Sequence, residues 1–439
     1  MGNPYTPHTA RETERMLEVV GVETEEELFD IPDAVTFDEE LDIPGRSEQE
    51  IRQECADTLG DNADLVEFLG RGHYGHYVPS VVDDLSSRSE FLTSYTQYQP
   101  EIAQGFLQAL FEYQSMFVEL TGLEIVNCSM YDAATALGEA ATLAARVRET
   151  SGDTILIPEE TLPGRASVLD NYVEGAGMDI ETFPLADGTV DLTGLEASIT
   201  ADCAMIYIEN PSTYGTIEAH TRDIGHLAHD NDAILTVGSD PVALAVLEPP
   251  ATQGADVVIG DAATLGLPMS FGTGLGLFAT REDFLRQLPG RIVGATEDAD
   301  GRRTYTLTLQ TREQHIRRER ATSNICTNQA WVALRTAMHV SWLGPDGLVE
   351  TASDCIELAT DLASRLDAIE GIEAPVHDGH HFREFVARSD RPAPKLADEI
   401  EEHGYAVHVV DEDHIQVAVT EVTATAVDGF VDAVREVMA

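Results

Sequence analysis

Between residues 132 and 280 the apolar positions alternate between two spacings. After Asp132, apolar residues Ala133, Ala134, Leu137, Ala140, Ala141, Ala144 and Val147 recur at three or four, the spacing of one helix face. Short apolar runs then follow at Thr154–Ile157, Met178–Phe183, Cys203–Ile208, Ala233–Val237, Val257–Gly260 and Leu275–Thr280. Each has the length of a buried strand. Amphipathic helices are expected between them near 163–173, 192–199 and 219–230. Strands alternating with helices predict an α/β domain with a mostly parallel sheet, whose ligands gather outside the carboxyl ends of the strands.

Upstream, Ile102, Phe106, Leu110, Tyr113, Phe117 and Leu120 predict a helix with Pro100 in its first turn and Gly122 as its stop. Residues 1–70 read as an irregular arm with short helices, one capped by Thr24 and Glu27 and another over Ser47–Gly60. An arm with little core of its own is expected to wrap a neighbouring subunit. Downstream, helices over 329–339 and 347–367 flank Trp342-Leu343-Gly344-Pro345. Strands near 382–388, 405–410 and 414–419 and a closing helix over 424–438 then describe a small α+β domain. The expected division is an arm over 1–90, a large α/β domain over 91–330 and a small domain over 331–439.

Composition changes the picture in one respect. The 439 residues hold 79 acidic and 26 basic side chains, a formal charge of −53. One lysine, Lys395, leaves all other basic residues as arginine. Such a surface repels nucleic acid and anionic membranes, and the balance is like that of proteins from salt-loving organisms. Cys55, Cys128, Cys203, Cys326 and Cys355 are odd in number and form no CxxC pair, so neither a disulfide framework nor a zinc site is expected. Residues 1–16 lack the charged-then-apolar pattern of a signal peptide, and no run approaches the ~18 apolar residues of a membrane span. The expectation is a soluble cytoplasmic protein.

Against this acidity, residues 302–328 concentrate Arg302, Arg303, Arg312, Arg317, Arg318 and Arg320, opposed by Glu313 and Glu319. A cationic island in an anionic chain needs a partner, either an internal acidic face or another molecule. Either it forms one wall of a shared active site, or it is a buried Arg–Glu network tying domains together. Tyr95, Tyr98 and Gln99, in a segment too polar for a core strand, either line a pocket at a helix entrance or pack against the arm. His73 and His76 sit in a glycine-rich loop without the spacing of metal ligands.

Large α/β domain followed by small α+β domain is the layout of pyridoxal-phosphate enzymes of the aspartate-aminotransferase type. Those enzymes need a lysine on a loop after a sheet strand. The matching stretch here, Ala255–Gly266, has none, and Lys395 lies in the small domain. The helix that would cradle phosphate opens at Asn127–Asp132 without glycine, and Asp132 puts a carboxylate at its anion-favouring end. Gly272-Thr273-Gly274-Leu275-Gly276 runs into a strand and is a weak dinucleotide signal.

Three segments, FLTSYTQYQPEIAQG, LTGLEIVNCSMYDAATALGEA and LTLQTREQHIRRERATSNICTNQA, closely resemble the first subunit of two-subunit glycine decarboxylases, the P-protein of the glycine cleavage system. The resemblance covers essentially the whole chain. Asn210-Pro211-Ser212-Thr213-Tyr214-Gly215 departs from the family, which tends to carry two aromatics after Pro-Asn. The resemblance implies an aspartate-aminotransferase-like fold and an α2β2 assembly in which the partner subunit, glycine decarboxylase subunit 2, holds pyridoxal phosphate. It implies decarboxylation of glycine, transfer of the aminomethyl group to the lipoyl arm of H-protein, and release of CO2. It makes Tyr95, Tyr98, Gln99, Glu101, Ser129, Tyr131, His315, Arg317, Arg318, Thr322, Ser323 and Asn324 candidates for a site shared with the partner. There an arginine would orient the departing carboxylate. Two other readings are a docking scaffold without catalytic residues and an enzyme binding pyridoxal phosphate non-covalently.

Overall fold

The computed structural model describes residues 7–35, 43–60, 65–92, 97–128, 130–148, 152–268, 273–308, 321, 323, 325 and 329–439. The chain divides into two compact units, residues 1–63 and 64–439. The first carries helices α1 (Ala10–Val20) and α2 (Glu48–Gly60), and neither buries a residue. Both are held at their starts by reciprocal caps: the Thr9 and Ser47 amides donate to Glu12 and Glu50, each at 2.8 Å.

The second unit is built on a seven-stranded sheet in the order β2-β10-β9-β8-β7-β3-β4. Its strands are β2 (Ile125–Val126), β3 (Thr154–Pro158), β4 (Asp179–Phe183), β7 (Cys203–Glu209), β8 (Ile234–Gly238), β9 (Val257–Asp261) and β10 (Gly276–Thr280). β10 is antiparallel to both of its neighbours, while β4, β3, β7, β8 and β9 run parallel. Every residue of β3 and β8 is buried, as expected of strands covered on both faces. Ile155, Ile157, Met205, Tyr207, Val257 and Ile259 belong to the core under helices α5 (Ala133–Val147) and α6 (Pro163–Ala176). Their alternates Leu156, Ile206, Ile208, Leu235, Val237 and Val258 face the opposite core. That core takes in α4 (Gln104–Thr121), α7 (Leu192–Ser198), α8 (Thr221–Asp230) and the first arm of α9 (Ala330–Asp367). This is the period-two pattern of a sheet buried on both sides, and each such side chain contributes about 1.5–3 kcal/mol. A two-residue pair, β5 (Leu185–Ala186) and β6 (Thr189–Val190), closes the far edge as a separate hairpin.

The small sheet has the order β1-β15-β16-β14-β13, from β1 (Val66–Phe68), β13 (Ile372–Glu373), β14 (Glu384–Ser389), β15 (Tyr405–Val409) and β16 (His414–Ala418). Its core includes faces of α9, α10 (Ala393–Glu402) and α11 (Val427–Met438), with Phe68 stacked on Phe430 at 4.4 Å. β1 comes from the segment read as arm and pairs parallel with β15.

Several expectations shift. α4 starts at Gln104 because residues 100–103 form a turn. The Ala103 amide donates to the Pro100 carbonyl, which the Gln104 side chain also caps at 2.7 Å. Ile102 is therefore left exposed. Residues 303–308 are β12, paired with β11 (Ile292–Glu297) in an antiparallel hairpin, so the front of the cationic stretch is a strand. The Gln104 side chain fixes it by bonding the Tyr305 amide at 3.0 Å and its carbonyl at 2.9 Å. α10 was hidden in a proline-rich stretch, yet proline in a first helical turn gives up no bonded amide. α9 bends where expected, at Gly344, whose φ of 65° favours glycine. Among the described residues no helix is long and apolar enough to cross a membrane. Cys55, Cys128, Cys203 and Cys355 are free thiols.

Candidate active site

At the carboxyl ends of β7, β8 and β9 the chain turns over a cleft with about 70 Å³ of free space, room for a few waters. Charged side chains fill it in pairs. Arg165 of α6 donates to Glu209 at 2.7 Å, and the Tyr207 hydroxyl donates to the same oxygen at 2.8 Å. Burial alone would lower the Arg165 pKa, but Glu209 and Tyr207 outweigh it and raise it. Arg383, fully buried, donates to Asp240 and, at 2.6 Å, to His76 Nε2. The His76 proton therefore lies on Nδ1, which donates to Glu421 at 2.9 Å. Glu384 accepts from Tyr74, from the Arg71 amide at 2.8 Å and from Gln416 at 2.7 Å. Burial raises the Glu384 pKa, and those bonds hold it back. Gly215, at φ 84°, lets the 210–218 loop press on the Glu384 backbone, where a Cβ would overlap the carbonyl.

This is the position at which the fold class carries pyridoxal phosphate, and the residues present do not fit it. The loop after β9, Ala262-Ala263-Thr264-Leu265-Gly266, offers no amine. It is instead clamped to α9. Arg335 Nε donates to the Gly266 carbonyl at 2.8 Å, His339 Nδ1 to Leu265 at 2.7 Å and Thr336 Oγ1 to Ala262 at 3.2 Å. The amino end of α5 is taken by Asp132, whose carboxylate accepts from the Thr135 amide at 2.7 Å. Asp261 stands near it, its pKa raised by burial and further by Asp132. A phosphate dianion there would meet two carboxylates. Asp240, the acid that could face a ring nitrogen, is held by Arg383.

The residues expected in a shared site fall into four groups. Tyr98 receives the Arg291 guanidinium, with Nη2 3.3 Å from its hydroxyl and the cationic carbon 5.7 Å from its ring centre. The Arg291 carbonyl in turn accepts from the Cys128 amide at 2.9 Å, so Arg291 links Tyr98 to Cys128. Tyr131 and Ser323 meet around Glu139 and Tyr172. Ser323 donates to Glu139 at 2.6 Å, and Tyr131 contributes to the raised pKa of Tyr172, after burial, Glu139 and Asp132. Gln99 and Glu101 lie on the exposed turn ahead of α4. Tyr95, Ser129, His315, Arg317, Arg318, Thr322 and Asn324 lie outside the described residues.

Sequence reasoning missed Arg291, Glu139 and Tyr172. Glu139 did carry a signal, as a lone acid on the alanine-lined buried face of α5. Its pKa is raised by burial against the pull of Ser323. Arg291 follows Pro289-Gly290 and has no such mark. His76, Cys355 and Glu421 bring their potential ligand atoms within 4.8 Å of one another. With Arg383 bonded to His76 and burial pushing Cys355 up to about 12, the group is a hydrogen-bonded cluster rather than a thiolate site.

Sheet order and the appended small domain define the fold class, that of pyridoxal-phosphate-dependent transferases of fold type I. The fold is shared with a sphingosine-1-phosphate lyase from Burkholderia pseudomallei, at 15% identity and TM-score 0.65 over 92% of this chain and 94% of that one. A cysteine desulfurase from Thermococcus onnurineus shares it at 16% and 0.61 over 90% and 98%.

The particular family follows from closer relatives. The glycine cleavage system P-protein model matches residues 3–434. A probable glycine dehydrogenase (decarboxylating) subunit 1 from Halobacterium salinarum is 58% identical, covering 99% of each chain. Its counterpart from Pyrococcus furiosus is 43% identical over the full length of both. A crystal structure of glycine decarboxylase (P-protein), in inhibitor-bound form, superposes with TM-score 0.86 at 38% identity over 99% of this chain and all of that one. The chain belongs to the glycine cleavage system P-protein family.

Proposed function

We propose that this chain is the cofactor-free subunit of a heteromeric glycine decarboxylase, working in the cytoplasm. Its partner subunit holds pyridoxal phosphate, in an α2β2 assembly. Together they decarboxylate glycine and pass the aminomethyl group to the lipoyl arm of H-protein. The observation that carries this reading is the strand-end cleft. In a fold otherwise complete for the cofactor, the lysine position is a clamped loop without an amine, and the phosphate position is held by Asp132 and Asp261.

What this chain adds is one wall of the partner's pocket. An arginine of the 302–328 stretch, Arg317 or Arg318, orients the substrate carboxylate through a bidentate pair. Tyr95, Tyr98, Tyr131 and His315 hold or move protons at their hydroxyl and imidazole atoms. Ser129, Thr322, Ser323 and Asn324 supply short hydrogen bonds, and Gln99 and Glu101 flank the entrance.

The test is reconstitution with the partner subunit of Tyr95→Phe, His315→Gln and Arg317→Met variants. Assembly that persists while glycine–bicarbonate exchange is lost supports the shared wall. Normal exchange in all three variants would leave this chain as a scaffold.

A further inference from the structure

Within the bend of α9 lies a second cavity, of about 310 Å³, which the shared-site reading does not use. His339 and Trp342 reach it from before Gly344, Glu350 and Asp354 from after it, and Tyr77 and Glu421 from across. His339 is only 1% exposed. Its Nδ1 donates to the Leu265 carbonyl, so Nε2 carries the lone pair, and Nε2 has no hydrogen-bond partner. Burial lowers the pKa of this imidazole, which keeps it neutral and accepting. A buried acceptor without a donor is costly, and a donor entering the cavity would relieve it.

The other walls narrow the chemistry. Glu421 is already engaged by His76 and by the Tyr77 amide. Glu350 and Asp354 stand one helical turn apart on α9, and no lysine or arginine among the described residues lines the cavity. Trp342, 53% exposed, offers an indole face to a cation or an alkyl stem. A ligand that matches all of these has a positively charged, donor-rich head on a short apolar stem.

We propose that the bend of α9 is a binding site for an alkylammonium or alkylguanidinium group, either free or as the lysine or arginine side chain of a bound polypeptide. The proposal stands independently of the glycine reading. The full chain is titrated with n-butylguanidinium, and with n-butylurea as a neutral analogue of similar shape. Calorimetry and the indole NMR signals of the two tryptophans report binding.

The cation is expected to bind saturably, to shift the Trp342 signal, and to weaken with added salt. The Glu350→Gln/Asp354→Asn variant, altered only at exposed positions, is expected to lose about tenfold in affinity, and His339→Phe a similar factor. Absence of saturable binding, equal binding of n-butylurea, or unchanged affinity in the Glu350→Gln/Asp354→Asn variant would overturn the proposal. Repeating the titration on the complex with the partner subunit separates the sources. Retained binding identifies a site for a free cation, and competition identifies a basic side chain of the partner, each consistent with the same site.

Discussion

Two regions of this molecule use the same residue types to opposite ends. In the strand-end cleft, Arg383 meets Asp240, Arg165 meets Glu209 and Tyr74 meets Glu384, all inside one chain. On the Tyr98 face, by contrast, that tyrosine is 54% exposed, with Gln99 and Glu101 turned outward beside it. A pocket whose charges are matched internally has spent its binding capacity on its own stability. Gln99 and Glu101, exposed at the surface beside Tyr98, keep theirs for another molecule. The strand-end cleft is therefore not where this chain is expected to touch substrate.

The comparison breaks most visibly at Arg383. Arg383→Met strands the Asp240 carboxylate in the interior and is expected to lower unfolding free energy by about 3–5 kcal/mol, read from denaturant midpoints. Adding Asp240→Asn should restore part of the loss. A loss below about 1 kcal/mol for the single variant would mean that the cleft is not a stability element.

His381, next to the cleft residues Phe382 and Arg383, gives the pH test. Burial, then His377, depress its pKa from 6.5 to about 4. The folded state thus binds this proton more weakly than the unfolded chain does. The stabilising contribution is complete above pH 6.5 and is lost as pH falls from 6.5 towards 4. The full span is up to about 3 kcal/mol. His381→Asn should flatten that part of the stability–pH curve relative to the parent, and parallel curves would refute the assignment.

A smaller effect is expected at Asp132. Asp132→Ala removes the α5 cap and should cost about 1 kcal/mol in thermal or denaturant unfolding. Smallest of all is Tyr98→Phe, expected to change stability by less than about 0.5 kcal/mol while reducing glycine–bicarbonate exchange in the assembled enzyme. A stability loss comparable to that of Arg383→Met would erase the contrast between the two regions.

The sheet was legible because its strands are buried on both faces. Thr154–Pro158, Cys203–Glu209, Ile234–Gly238 and Val257–Asp261 appear in the sequence as short apolar runs between helical stretches. The missing amine was equally plain, since Lys395 is the one lysine. The charge pairs of the cleft were not legible. Arg383 and Asp240 are 143 residues apart, and nothing local marks either as the other's partner. The β11–β12 hairpin was masked by its own arginines: Arg303 spreads over Phe111 and Tyr305, at 5.5 and 5.3 Å, so a residue counted as charge also serves as cover for aromatic rings. Of the candidate site, the motifs singled out Tyr98, Tyr131 and Ser323. Their supports Arg291, Glu139 and Tyr172 emerge only once helices and loops are folded against one another.

The pairing of Val66–Phe68 with Tyr405–Val409 sets an order on synthesis. The first of these strands leaves the ribosome about 340 residues before the second, a wait on the order of tens of seconds at ordinary elongation rates. During that wait Phe68 has no Phe430 to stack on, and the nascent strand must be sheltered by other means. A carboxy-terminal fragment begun at residue 331 would be translated without the edge strand of its own sheet, and supplying residues 65–78 as a separate peptide should rescue its solubility.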